Sequence, residues 1–181
     1  PMKRGKCLSF FRVILTLLFL PLFGSAQSYE FVDLRMRAAS DINNFRQVSG
    51  DLLTPTSFNP AIWQMGVVTD LGTLGGQPGP PPEDLVYAMR INNQGQVAGF
   101  TEITDFITFH AFVWGNGTMT DLPPALGRAS AAYGINDLGQ VVGETVTGAS
   151  LWENGVMTNL NTLLPAGSDW NLQVAFAINN G

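Results

Sequence analysis

The chain carries three successive copies of one two-part unit, and a fourth opens shortly before its last residue. The first part reads INNFRQVSG at 42–50, INNQGQVAG at 91–99 and INDLGQVVG at 135–143. The second reads IWQMGVVTDL at 62–71, FVWGNGTMTDL at 112–122 and LWENGVMTNL at 151–160, and the fourth copy begins as AINNG from Ala177. A unit of this length cannot bury its own apolar faces, so neighbouring copies must supply the core to one another. The fold is thereby restricted to an array or ring of similar modules.

Spacing separates the rigid pieces from the elastic ones. Ile42 to Gly50, Ile91 to Gly99 and Ile135 to Gly143 are all 8 residues apart, as are Trp63 to Leu71, Trp114 to Leu122 and Trp152 to Leu160. The glycine-to-tryptophan stretches vary as 13, 15 and 9, and the leucine-to-isoleucine stretches as 20, 13 and 18. A hairpin register tolerates no slip, whereas a surface loop absorbs insertions, so each constant piece reads as a hairpin and each variable piece as a connector.

Local chemistry agrees. Asn116-Gly117 and Asn154-Gly155 sit between apolar or β-branched runs, where Asn-Gly accepts the positive φ of a tight hairpin turn; Met65-Gly66 takes the same place in the first copy. Asn93-Gln94-Gly95 and Asp137-Leu138-Gly139 supply short turns ending in glycine, while Asn44-Phe45-Arg46 has no glycine and leaves its turn type open. Helix competes poorly, because glycine and β-branched residues interrupt every segment.

Two hairpins per unit give four strands. The isoleucines that open the copies are 49, 44 and 43 residues apart, close to the roughly 40–50 residues of a β-propeller blade. The expected fold is therefore all-β, built from repeated four-stranded antiparallel meanders at about 39–76, 87–122 and 132–164, with a truncated copy at 175–181. That makes an incomplete β-propeller of three blades plus the start of a fourth; a β-sandwich or stacked solenoid is the alternative. Ile91, Val97, Trp114 and Met119, and likewise Ile135, Val141, Trp152 and Met157, are expected between neighbouring blades.

These motifs also resemble a known family. INNxGQVVG, then HAFVW at His110 to Trp114, with DLGTLGG at Asp70 to Gly76, is similar to the HAF-repeat family of bacterial extracellular proteins over about residues 39–181. The two signatures fall in different copies. Pro60-Ala61-Ile62 and Ala149-Ser150-Leu151 replace His-Ala-Phe in the others, which speaks against obligatory chemistry at the histidine. The resemblance implies a secreted repeat protein and no particular activity.

The N-terminus reads as an export signal over 1–26. Lys3, Arg4, Lys6 and Arg12 precede an apolar run from Val13 to Phe23, and Gly24-Ser25-Ala26 offers small residues for cleavage. The run of 11 is too short for a bilayer span, which needs about 20 residues. The domain that follows, 27–181, is expected to have no membrane span. Cys7, the single cysteine, lies within the signal, so the mature chain has no disulfide, thiol nucleophile or cysteine metal site.

Beyond residue 26 the chain holds five arginines and no lysine against fourteen acids, a formal net charge of −9. Such a surface repels phosphate backbones, which argues against nucleic acid as a partner. Pro1 precedes a methionine that reads as the initiator, and the last motif stops early. We expect a piece of a longer reading frame, whose open strand edges favour association when 27–181 is expressed alone.

Catalytic chemistry finds little purchase. His110 is the only histidine, so a histidine metal site or a conventional nucleophile–histidine triad can draw on one imidazole only, and a structural role at a strand entrance fits it better than a catalytic one. Trp63, Trp114 and Trp152 recur at one position, as core residues do. The Asn-Asn and Asn-Asp pairs lack the alternating acids and closing glutamate of a calcium loop, and turn formation explains them. Asn116-Gly117-Thr118 fits a glycosylation sequon, but its turn accounts for it. The GGQPGPPP stretch at 75–82 has no lysine or helix start after it and is no phosphate cradle. No cofactor is implied.

Function is expected on the connectors, because binding is carried by variable loops on a constant scaffold. In a four-stranded meander both tight turns point to one rim and all connectors to the other. The connectors 51–59, 75–86, 100–109, 123–131, 144–148 and 161–174 hold Asp51, Glu83, Asp84, Glu102, Asp105, Arg128, Glu144 and Asp169. Glu102 and Asp105 are the favoured binding acids, with Glu83, Asp84 and Arg128 beside them. The sequence thus points to an exported binding or scaffold module for an extracellular protein or glycan. The alternatives are a catalytic propeller acting on polysaccharide, whose paired carboxylates would stand roughly 5–10 Å apart, and a purely structural surface protein.

Overall fold

The computed structural model describes residues 30–55, 58–75, 87–103, 108–123 and 129–181, with Ile14–Thr16 as an isolated piece; of 14–16, 87, 88 and 102 it describes the backbone alone. Within these the chain is all-β. A short antiparallel pair, β1 (Ile14–Thr16) with β2 (Glu30–Val32), precedes three four-stranded sheets. Sheet one comprises β3 (Ala38–Ile42), β4 (Val48–Leu53), β5 (Phe58–Gln64) and β6 (Val67–Asp70). Sheet two comprises β7 (Tyr87–Ile91), β8 (Val97–Glu102), β9 (Phe109–Gly115) and β10 (Thr118–Asp121). Sheet three comprises β11 (Ser130–Ile135), β12 (Val141–Thr145), β13 (Gly148–Glu153) and β14 (Val156–Asn159), followed by a 3-10 turn at Leu160–Leu163.

Every sheet is an antiparallel meander in sequence order. The registers match: Val48 pairs with Trp63, Val97 with Trp114 and Val141 with Trp152. The first hairpin of each sheet turns identically, with Asn43, Asn92 and Asn136 N–H bonded to the carbonyls of Gln47, Gln96 and Gln140 at 3.0, 3.0 and 3.1 Å. The left-handed position that Gly95 and Gly139 fill at φ 74° and 77° is taken in sheet one by Arg46 at φ 61°. The missing glycine therefore changes the strain of the first turn and not its type. Met65 likewise adopts φ 49°, where Asn116 and Asn154 stand at 52°.

A β-bulge interrupts the first strand of each sheet, between Ala39 and Asp41, Ala88 and Arg90, and Ala132 and Gly134. It explains the glycine that ends the first motif. Opposite the bulge, a Cβ on Gly50 or Gly143 would run into the carbonyl oxygen of Ala38 or Ala131.

The core lies between sheets. Ile62 and Leu71 of sheet one and its exit pack on Ile91, Val97 and Phe112 of sheet two, joined by Trp114 and Met119. One step on, Ala98, Ala111 and Leu122 pack on Ala132, Val141 and Trp152, joined by Ile135 and Met157. All eight residues expected between modules are in these two clusters. Side chains two apart in a strand share a face, so each sheet turns its Val/Trp/Met face to the preceding sheet and its opposite face to the next. The first strand of each later sheet makes the closest approach: β7 lies along β3, β4 and β5, and β11 along β7, β8 and β9. Among the described residues no helix is long and apolar enough to cross a membrane.

Candidate functional site

At the tight-turn rim, an asparagine ladder links the sheets. Asn43 Nδ2 donates to the carbonyl of Asn92 at 2.9 Å, Asn92 Nδ2 to that of Asn136 at 3.0 Å, and Asn136 Nδ2 to that of Asn179 at 2.8 Å. Each Nδ2 also bonds the Oε1 of the glutamine four residues on, at 2.7, 2.7 and 2.6 Å. Each Oδ1 accepts from the backbone N–H groups two and four residues later. A second rail runs beside it, in which the N–H groups of Asn44, Asn93 and Asp137 donate to the side chains of Asn93, Asp137 and Asn180. Hydrogen bonds from Asn93 and Asn180 hold the Asp137 carboxyl below its ordinary pKa. The ladder carries residues 172–180 onto sheet three, where Ala175 N–H reaches the Gly143 carbonyl at 3.2 Å. This rim is structural: its polar groups are consumed by one another.

Sequence reasoning treated these asparagines as turn formers and missed the rungs. The glutamine four residues on bonds within the same turn, so its recurrence marks the turn and not the rungs between sheets.

The opposite rim holds a cleft of about 300 Å³ between sheets two and three. Phe100 and Phe109, at the ends of β8 and β9, meet edge to face at 5.9 Å and 90°. Phe100 meets Tyr133 of β11 at 6.1 Å and 76°. Ala129, Ser130, Ala131, Glu144, Thr145 and Val146 complete the lining. Tyr133 projects at the bulge, where the extra residue turns its side chain away from the core that takes Ala132. Its hydroxyl donates to Glu144 Oε1 at 2.7 Å, and its ring leans on Phe176 at 5.5 Å. Burial, then the hydrogen bond and charge of Glu144, push the phenol pKa far up. Tyr133 is thus held protonated as a donor, and among the described residues no other hydrogen bond reaches the Glu144 side chain.

The five favoured sequence candidates are not brought together by the described structure. Glu83, Asp84, Asp105 and Arg128 lie outside the described residues, and Glu102 is described in backbone only, at the end of β8. Of the other connector acids, Glu144 lines the cleft, Asp51 is buried beside Arg37, and Asp169 is exposed. The aromatic walls were missed: Phe100 and Phe109 fell at the two ends of the expected connector 100–109, where only the charged residues were singled out, whereas they belong to β8 and β9. His110 Nδ1 faces the Asp121 carboxylate at 3.0 Å, and Asn59 Nδ2 holds Asp70 at 2.9 Å in the matching place of sheet one. Asparagine performs the same clamp, so the contact is a strand-end tie. No group of three or more histidines, cysteines or acids able to hold a metal stands among the described residues.

Fold and rim together define a tandem array of β-meanders with one face tied by asparagines and the other open at a cleft. Comparison with protein-family models, curated proteins and solved structures found no match.

Proposed function

We propose that the chain is an exported binding module whose ligand sits in the connector-side cleft. The carrying observation is the convergence of Phe100, Phe109, Tyr133 and Glu144 from four strands and two sheets on one opening. Aromatic walls supply contact area at small entropic cost, and a single carboxylate fixes orientation. The propeller-like arrangement and membership of the HAF-repeat family belong to this same reading. It is supported by the wedge-like approach of the sheets through their first strands, and by the recurrence of the motifs at 42–50, 91–99 and 135–143. A polysaccharide-cleaving enzyme is the weaker reading at this cleft: a tyrosine base needs an easily lost proton, and burial, then Glu144, make that of Tyr133 harder to remove.

A fluorine-NMR fragment screen tests the proposal. A mixture of amine, saccharide and aromatic fragments should yield hits on the wild-type chain that disappear on Phe109→Ser and on Glu144→Ala. Hits indifferent to both substitutions, or no hits at all, would sink it.

A further inference from the structure

The sheet registers allow one end of the molecule to interpret another. Three residues beyond the matched valines stand Asp51, Phe100 and Glu144, and five before the matched tryptophans stand Phe58, Phe109 and Thr147. In sheet one this corner holds a cation. The Arg37 guanidinium donates from Nη2 to Asp51 Oδ2 at 3.0 Å, and its Cζ lies 4.4 Å from the centroid of Phe58. A carboxylate and a ring thus grip a planar guanidinium from two sides, a geometry that suits arginine better than lysine.

The cleft between sheets two and three repeats the two gripping chemistries. Glu144 of sheet three stands at the register position of Asp51, and Phe109 of sheet two at that of Phe58, so the pair that sheet one carries by itself is assembled here across two sheets, with Phe100 and Tyr133 adding two more rings. Tyr133 bonds Glu144 Oε1, which orients the carboxylate and leaves Oε2 for an incoming donor. Among the described residues no arginine lines this cleft. The steep angles between the rings, 90° and 76°, box in a compact cation and offer no broad platform for a flat sugar.

Resting on the binding role proposed above, we infer that the cleft takes a guanidinium group, supplied by an arginine of an extracellular partner or by a free guanidine. The excess of acids on the chain favours the approach of such a cation.

Calorimetric titration of the full chain with Nα-acetyl-arginine amide, and with its neutral isostere Nα-acetyl-citrulline amide, tests this. The arginine probe should bind at least about tenfold more tightly, because only it adds the charge-assisted bond and the cation–ring contact. Raising salt should weaken it. Glu144→Gln should remove most of the preference, and Phe109→Leu should weaken the arginine probe severalfold while citrulline changes little. A Gly-Gly-Arg-Gly-Gly peptide binding more tightly than the amide assigns the source to a protein partner; equal binding assigns it to a free guanidine. Equal affinity for arginine and citrulline in the wild type, which requires no variant to fold, overturns the inference. So does binding that emerges only in Arg128→Ala, which would give the seat to the chain's own guanidinium. Saccharide fragments seated in the cleft by the fluorine screen, with arginine ignored, would overturn the guanidinium assignment and leave the binding role standing.

Discussion

The side chain of Asn92 donates to the backbone carbonyl of Asn136, 44 residues later, at 3.0 Å, while fully engaged within its own turn. Asn92 is 4 % exposed, so water replaces these bonds only in part when they are lost. Asn92→Ala strips partners from the Asn136 carbonyl, the Gln96 side chain and two backbone N–H groups. Each group left wanting in a buried site costs about 1–3 kcal/mol. Relaxation and entry of water soften the total, and a loss of about 2–4 kcal/mol is expected in urea unfolding. Asn44→Ala is the control: its side chain makes no bond in the ladder, and its effect should stay within about 0.5 kcal/mol.

Two substitutions should stabilise. Arg46 at φ 61° and Met65 at φ 49° hold left-handed backbone that glycine or asparagine holds in the matching turns. Arg46→Gly and Met65→Asn should each add about 0.5–1 kcal/mol, since strain outweighs the extra freedom glycine gives the unfolded chain. Met65 is 88 % exposed and surrenders no packing. A fall in the melting midpoint of either variant would show that the left-handed turns are not the weak points of sheet one.

Constant spacing made the hairpins legible, and the recurrence of Val, Trp and Met made the core legible, because both follow from register alone. Which polar groups meet across sheets was not legible in the same way. The rungs from Asn43 to Asn92 and onward depend on how far one sheet is shifted against the next, which no local spacing encodes. The candidate site fared similarly. Glu144 was visible as a connector acid, but its partner Tyr133 points into the cleft because of a bulge in β11.

Trp152 tests the claim that cohesion lies between sheets. It is 2 % exposed, packs in the cluster joining sheets two and three, and donates from Nε1 to the Pro123 carbonyl at 3.0 Å. Trp152→Ala should cost about 3–5 kcal/mol. Trp152→Phe keeps most of the volume and loses the hydrogen bond, for about 1–2 kcal/mol. Hydrogen exchange should then quicken in β8 and β9 as well as in β12 and β13. Quickening confined to sheet three would contradict a shared core.

The last expectation concerns alkaline pH. Tyr133 has a folded pKa raised above the ordinary 10.0, first by burial and then by its bond to Glu144 and the charge of that residue. In the unfolded chain the phenol ionises near 10.0, so above that pH the unfolded state sheds a proton that the folded state keeps. The stability tied to Tyr133 is therefore whole below pH 10 and declines as pH rises above it. The phenol of Tyr133 should resist ionisation in absorbance titration until the chain unfolds. Tyr133→Phe should abolish that resistant fraction and flatten the alkaline slope of stability. Glu144→Gln should leave the slope in place but end it at a lower pH, because burial of the ring persists when the neighbouring charge is gone. If Tyr133→Phe instead removes a phenol that titrates in the ordinary range in the folded wild type, the Tyr133–Glu144 bond does not form in solution.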